Sequence, residues 1–315
     1  MHRPNGRRTY LVVFITAVAA FALGLASADR LGWTAPAGTA PTVSAILPPG
    51  SLAEWYRPRP HSADLRPIID AELDALLAKL DTILSSHEPG TPSFSHGAES
   101  ALWHFNSLLQ QGRLAPEQAA RVHAYYDDLA REHPDETAML HRSRYMLDNL
   151  MPGHVAPNIV GRDTNGLRFA LEDYRGNIVV LIFSGEWCSP CREEYPYQRF
   201  MLEHFEDDHV ALLGVNSDED VETIRAAKKE KGLAYRVWWD GHEEVSTKGP
   251  IATAWNVYGW PVIYVLDEEG VIRYASINKA EVVAAVDELV QDQRNREIQA
   301  ELDKMPNPEE VRALK

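Results

Sequence analysis

The chain has 315 residues and two cysteines, Cys188 and Cys191, which stand three positions apart in Trp187-Cys188-Ser189-Pro190-Cys191. A structural zinc site needs four ligands, so this pair cannot build one without two further donors nearby. A haem-attachment motif would need His after the second cysteine, and the residue there is Arg192. One pair also cannot support a disulfide-rich scaffold. What remains is a redox couple or two inert thiols, and the flanking sequence favours the couple. Attack on a disulfide requires a thiolate, and a neighbouring thiol must then resolve the mixed disulfide.

The elements around the pair read as follows. Ile178 to Phe183 is an unbroken apolar run, as expected of a strand buried on both faces, and a helix is predicted from Pro190 to about Phe205. Cys188 therefore sits between strand and helix, where unpaired N–H groups and the positive end of the helix dipole favour the thiolate. Pro190 suits a first helical turn because its missing N–H would be unpaired there anyway. Further strands are predicted at Val210–Val215, Tyr235–Trp238, Val262–Leu266 and Val271–Tyr274, with an amphipathic helix over Glu219–Lys231 and a last helix from about Lys279. Asn165-Gly166, between Asn158-Ile159-Val160 and Leu167-Arg168-Phe169, signals a hairpin. Strands alternating with helices argue a βαβ-based α/β domain, and a C-x-x-C between strand and helix in that setting is a strong redox signal.

Ahead of this domain the chain changes character. Arg3, Arg7 and Arg8 precede an uncharged apolar run from Tyr10 to Ala28, the pattern of an export signal. Ala26-Ser27-Ala28 has the small-x-small form of a cleavage site, whereas the length of the run favours a retained anchor. Residues 1–28 thus read as a signal peptide or a membrane anchor, and either places the remainder outside the cytoplasm, on the periplasmic side. Residues 29–66 read as a Pro/Ala-rich spacer. Residues 67–151 read as a small antiparallel helical module. One helix carries Ile69, Leu73, Leu76, Leu77, Leu80 and Leu84 before Pro89-Gly90; others cover Ala98–Gln111, the stretch from Pro116, and the stretch from Pro134. The histidines here (His87, His96, His104, His123, His133, His141 and His154) do not repeat at metal-site spacing and read as solvated or hydrogen-bonded. Residues 152–292 form the redox domain, and 293–315 a charged tail whose helix runs out into solvent or frays. Apolar content of 45% and charged content of 24% are ordinary for a globular protein, and a net charge of −15 argues against a nucleic-acid partner.

Gly153 to Pro196, with Ala156-Pro157, Asp173-Tyr174-Arg175-Gly176, Trp187-Cys188-x-x-Cys191 and Glu194-x-Pro196, resembles the TlpA/ResA-like thioredoxins of the AhpC/TSA redoxin group. The likeness continues through Gly259-Trp260-Pro261 to about Val290. Gly214-Val215-Asn216-Ser217-Asp218 and Gly249-Pro250-Ile251-Ala252 resemble a bacterial subgroup with an added N-terminal helical region. The resemblance implies a thioredoxin-like fold, a central mixed sheet flanked by helices with an extra N-terminal hairpin, here preceded by the all-α module. It makes Cys188 the attacking and Cys191 the resolving cysteine, Trp260-Pro261 a cis peptide beside them, and Trp187, Trp260 and Pro190 the border that meets substrate. A cis-proline leaves neighbouring backbone groups open for an extended substrate strand. Glu194 occupies the place of the family's glutamate and could move a proton, or be a helix-surface or capping residue. Thioredoxin itself keeps a buried acid on the strand six residues before its first cysteine; here that position is Ile182.

The implied activity is extracytoplasmic disulfide reduction, with protein thiols and disulfides as substrates, a membrane dithiol protein as electron donor, and no organic cofactor or metal. Three alternatives stand beside it. One is a disulfide-forming oxidase. Another is a peroxidase, which the motif disfavours because Gly185 and Leu181 stand where peroxiredoxins carry Thr and Pro. The third is a partner-binding protein with a vestigial redox domain. Of the other tryptophans, Trp238, Trp239 and Trp255 read mainly as core.

Overall fold

The six apolar residues Ile178–Phe183 are all buried, and with Ser184 they form strand β3, Ile178–Ser184. In the computed structural model, which describes residues 67–85, 92–134, 137–206, 208–241, 249–275 and 279–304, this strand is the centre of a five-stranded mixed sheet. The order is β5 (Arg236–Trp239), β4 (Val210–Asn216), β3, β6 (Val262–Leu266), β7 (Ile272–Ala275). β4 runs parallel to β3 and β5 parallel to β4, whereas β6 is antiparallel to β3 and β7 antiparallel to β6. The leader, the spacer and the end of the tail (residues 1–66 and 305–315) lie outside the described residues, as do Pro89-Gly90.

The predicted hairpin is present: β1 (Val160–Arg162) pairs antiparallel with β2 (Arg168–Ala170), and Gly166 takes φ 81°, which the turn requires. It docks beside β5, where the Thr164 N–H donates to the Val237 carbonyl at 3.1 Å. Phe169 stacks on fully buried Trp238 with ring centroids 4.0 Å apart, and the Arg236 guanidinium lies over the Phe169 ring, 4.0 Å from its centroid. Asp163 anchors the turn. Its carboxylate accepts the backbone N–H groups of Asn165 and Leu167 at 2.8 and 2.9 Å and the Arg236 Nε at 2.9 Å.

Four helices precede the sheet: α1 (Asp70–Ser85), α2 (Pro92–Leu109), α3 (Pro116–Glu132) and α4 (Thr137–Asn149). Leu73, Leu80, Leu84, Leu102, Phe105, Leu109, Val122, Tyr126, Leu129 and Met139 fill one core between them. Ile69 departs from the predicted stripe. It is 61% exposed, because the helix begins only at Asp70; Ile68 is buried instead. The predicted start at Pro116 holds, with the Gln118 carboxamide accepting the Ala115 N–H at 2.9 Å.

α4 does more than close this bundle. Met146 and Leu150 belong to the same apolar cluster as Leu181, Phe183, Trp255, Val262 and Tyr264, so the helices and the sheet share a core within one compact unit, Pro58–Asp292. The last described helix, Lys279–Asp303, buries Val282, Val283, Val286, Leu289 and Val290, then continues with exposed side chains over 295–304. Among the described residues no helix is long and apolar enough to cross a membrane.

Burial opposes ionisation of Asp163, yet Arg236 and the two backbone N–H groups outweigh it and hold its carboxyl below the usual carboxylate range. A depressed folded-state value means the stabilisation is present above the unfolded value and lost as pH falls through the folded one. Asp163→Ala is therefore expected to cost about 2 kcal/mol at neutral pH, the size of a lost set of charge-assisted hydrogen bonds. In urea unfolding the gap from wild type should narrow below about pH 4; a gap that stays constant with pH would refute the assignment.

Candidate functional site

The chemistry is placed by two strand ends. Phe183 of β3 pairs with Val262 of β6, so the segment leaving β3 towards Cys188 emerges next to the segment entering β6 from Pro261. The Trp260-Pro261 peptide is cis, as the resemblance implied. The two segments meet through their tryptophans: the rings of Trp187 and Trp260 pack edge to face with centroids 5.2 Å apart. Trp187 is 44% exposed and Trp260 half-buried, so together they border the cysteine pair on the surface.

Cys188 is the N-cap of a short helix, α5 (Ser189–Arg192), with Pro190 exposed in its first turn. Cys188 and Cys191 are joined in a disulfide, with Cα atoms 5.3 Å apart. The Cys188 sulfur accepts the Cys191 backbone N–H at 3.2 Å. Both cysteines are buried, Cys188 at 6% exposure and Cys191 at 1%, so Cys188 is the more accessible of the two.

One long helix from Pro190 to Phe205 was predicted; there are two, α5 and α6 (Tyr195–His204). Pro196 has no N–H to return to the Arg192 carbonyl, which interrupts the ladder at Glu193–Glu194. Glu194 occupies the N-cap position of α6, and its own N–H donates to the Cys191 carbonyl at 3.1 Å. It is buried, and its side chain makes no capping hydrogen bond. Neither the surface reading nor the side-chain capping reading of this residue fits.

Three further residues hold the loop before Cys188, and spacing alone did not single them out for this role. The Asp218 carboxylate accepts the Glu186 backbone N–H at 2.8 Å and the Asn216 side-chain amide at 2.7 Å. The Trp187 indole N–H donates to the Ser217 carbonyl at 3.3 Å. Gly185 is required because the indole of Trp187 folds back over it; a Cβ there would overlap the ring. Asn216 and Asp218 are both fully or nearly buried at the end of β4, so the parallel partner of β3 clamps the loop from below. The Gly-Val-Asn-Ser-Asp stretch carried this information as a resemblance without revealing what it touches.

Glu186 is the other addition. Burial, and then the negative charge of Asp218, push its carboxyl above the ordinary range, against Arg192 and Lys231. Its Oε1 is shielded from solvent and has no hydrogen-bond partner among the described residues. Of the other tryptophans, Trp238 and Trp255 are core, whereas Trp239 is 41% exposed and donates to the Asp218 carbonyl at 3.0 Å. Among the described residues no group of three or more His, Cys, Asp or Glu is arranged to hold a metal ion. His123 instead meets Asp148 at 3.0 Å and His204 meets Asp287 at 3.4 Å.

Sequence comparisons fall on the same part of the chain. The AhpC/TSA family model matches residues 152–275. Over this span the redox domain is similar to the TlpA/ResA-like thioredoxins of the AhpC/TSA family. Over 123 residues the chain is 32% identical to the thiol-disulfide oxidoreductase ResA of Bacillus subtilis, covering 39% of this chain and 65% of that protein. It is 31% identical to ResA of Geobacillus kaustophilus, over 38% of this chain and 66% of that one. The chain thus spans just under two thirds of the length of both ResA proteins. It is 29% identical to the thioredoxin-like protein YneN of Bacillus subtilis, over 39% of this chain and 70% of that protein. A thioredoxin domain of a thiol-disulfide oxidoreductase from Bacteroides vulgatus is 27% identical, covering 45% of this chain and 99% of its own, with a TM-score of 0.40. The helical residues 67–151 lie outside the span of the family model.

Because Glu186 is harder to ionise folded than unfolded, its charge costs stability once pH rises through the unfolded value, and most above the folded one. Glu186→Gln should therefore stabilise the protein at neutral pH and confer nothing near pH 3. The neutral-pH gain stays below about 1 kcal/mol because the residue is partly solvated. Chemical denaturation at the two pH values measures this. An equal effect at both would mean that the carboxyl is not perturbed.

Proposed function

We propose that this protein is an extracytoplasmic thiol–disulfide oxidoreductase that works as a TlpA/ResA-like disulfide reductase. The observation that carries the reading is the Cys191 N–H aimed at the Cys188 sulfur from 3.2 Å, at the more accessible end of a closed Cys188–Cys191 pair. In the reduced protein the same N–H would solvate a Cys188 thiolate. That thiolate attacks one sulfur of a partner disulfide, forming a mixed disulfide and expelling the partner's first thiolate. Cys191, deprotonated, then attacks the Cys188 sulfur, breaks the mixed disulfide and releases the second partner thiolate. Two electrons pass to the partner, whose two sulfurs take up two protons, and Cys188–Cys191 is left oxidised. The couple resides in the two sulfurs, so the reading needs neither an organic cofactor nor a metal.

Trp187, Trp260 and Pro190 supply the border on which a partner would lie, and the cis-Pro261 segment supplies the backbone edge an extended substrate would pair with. Glu194, buried and hydrogen-bonded through its backbone to Cys191, is the acid we assign to proton movement at the resolving cysteine. Re-reduction requires a second dithiol. The basic flank and apolar run at residues 3–28 support a donor in or at the membrane, with the redox domain on its periplasmic side, anchored by residues 10–28 or released by cleavage after Ala28.

Direction is set by the reduction potential of the pair, measured by thiol trapping across glutathione and dithiothreitol buffers. A value near or below ~−270 mV is expected of the reductase; one near ~−120 mV would make the protein a disulfide-forming oxidase instead. Cys188→Ser should abolish turnover of a disulfide substrate, and Cys191→Ser should accumulate a mixed disulfide that dithiothreitol releases. Turnover surviving in Cys188→Ser would sink the mechanism. Glu194→Gln is expected to shift the pH profile of thiol alkylation, and a superimposable profile would remove Glu194 from the chemistry.

A further inference from the structure

The helical module has no role in the chemistry above, yet one of its side chains reaches the cis-proline segment. Trp103 of α2 lies against the backbone of Gly259: a Cβ built on that glycine would stand 3.1 Å from the indole Cη2 and 3.4 Å from Cζ3. The Trp103 ring also packs beside Tyr258, with centroids 6.3 Å apart and planes inclined by 38°. Tyr258 and Gly259 lead directly into Trp260 and Pro261, and Trp260 packs on Trp187 next to Cys188. One aromatic ring from the module is thus one residue away from the edge that would receive substrate.

The contact is held on both sides. Beyond the cis-proline, Gln110 at the end of α2 hydrogen-bonds the buried Tyr264 hydroxyl on β6 and donates to the Leu150 carbonyl at 2.7 Å. Before it, Glu99 of α2 lies close enough to Tyr258 to disfavour its ionisation, after the larger effect of burial. Glu99 is in turn paired with Arg142 of α4 at 2.7 Å, which ties α2 to the helix that enters the sheet core. Trp260 itself is held by its ring contact with Trp187, and its Nε1 is shielded with no hydrogen-bond partner among the described residues.

We propose that Trp103 is a positioning residue for polypeptide disulfides, bracing Gly259 so that the Trp260–Pro261 edge is held ready for an extended partner strand. The helical module thereby takes part in selecting substrates. The atoms transferred and the cysteine roles are unchanged. What Trp103 sets is the fit of a chain long enough to lie along the edge, which a small disulfide does not need. A side chain at Gly259 would press on the same indole, its Cβ standing 3.1 Å from Cη2.

This role rests on the thiol–disulfide reading above, and a two-substrate comparison separates the two. Full-length wild type and Trp103→Ala are assayed with insulin, a polypeptide disulfide, and with 5,5′-dithiobis(2-nitrobenzoate), a small one. For insulin, KM is expected to rise on the order of tenfold with kcat nearly unchanged, as for loss of one ordered aromatic contact, while the small disulfide reacts as before. Trp103→Phe, which keeps a ring against Gly259 and remains informative if the alanine variant folds poorly, should recover most of the insulin KM. An unchanged insulin KM in folded Trp103→Ala would overturn the role. So would an equal loss on both substrates that Trp103→Phe also shows, since that is general destabilisation. Failure of wild type on both substrates would overturn the thiol–disulfide reading itself.

Discussion

The pairing of β3 with β6 is the constraint on which the rest depends. β3 must be buried on both faces, which its uninterrupted Ile-Val-Val-Leu-Ile-Phe run allows, and its end must lie beside the start of β6. Because Phe183 faces Val262, the loop carrying Cys188 and the loop carrying Pro261 leave the sheet side by side. Everything else at the site refines this placement. β4, on the other flank, contributes Asn216 and Asp218 to clamp the Glu186 backbone, and Trp187 spans from the Ser217 carbonyl to the Trp260 ring. Slippage by one residue between β3 and β6 would turn every side chain of the strand to the other face and part the two loops.

Much of this was legible in the sequence. The buried strands announce themselves as apolar runs, the hairpin through Asn165-Gly166, and the redox pair through its position between strand and helix. What was not legible is whatever depends on contacts between distant segments. Periodicity placed Ile69 on a helical stripe, but the helix starts one residue later and the phase does not apply. Hydropathy predicted one helix across Pro196, although the missing N–H divides it and turns buried Glu194 into a helix-start residue. Gly185 was read only as standing where peroxiredoxins carry Thr, and nothing in the sequence shows that the Trp187 indole lies across it. Glu186 gave no signal, because its burial is created by Asp218 and by the ends of elements that meet only in the fold.

The acids around the pair show how the chemistry is redistributed. With Ile182 fully buried in β3, the strand offers no proton carrier beneath the cysteines. Buried or shielded carboxyls lie instead around the pair: Glu186 before Cys188, Glu194 after Cys191, and Asp218 just past β4, against the Glu186 backbone. Asp218 is spent on backbone and amide hydrogen bonds, which suits a structural anion. Glu186 differs in having a shielded oxygen without a described partner, a costly arrangement that burial alone rarely leaves in place. A carboxyl on the helix can follow Cys191 through its backbone, whereas one on the strand could not. That difference in attachment favours the proposed assignment of proton movement to Glu194.

The shared core explains why the helical module and the redox domain are best treated as one folding unit, despite the sharp change of texture after Gly153. A module joined only by a linker would present a polar face to its neighbour and leave the sheet's own core closed. Here Met146 and Leu150 enter the cluster of Phe183, Val262 and Tyr264, and Gln110 bonds the hydroxyl of that same tyrosine. Each of those three sheet residues lies within a few positions of Ser184 or Pro261, at the strand ends that carry the site. Repacking around Met146 and Leu150 would therefore be transmitted into the sheet core, since close-packed cores transmit displacement instead of absorbing it. The module thus reaches into the same core from which the strands leading to Cys188 and away from Pro261 are built.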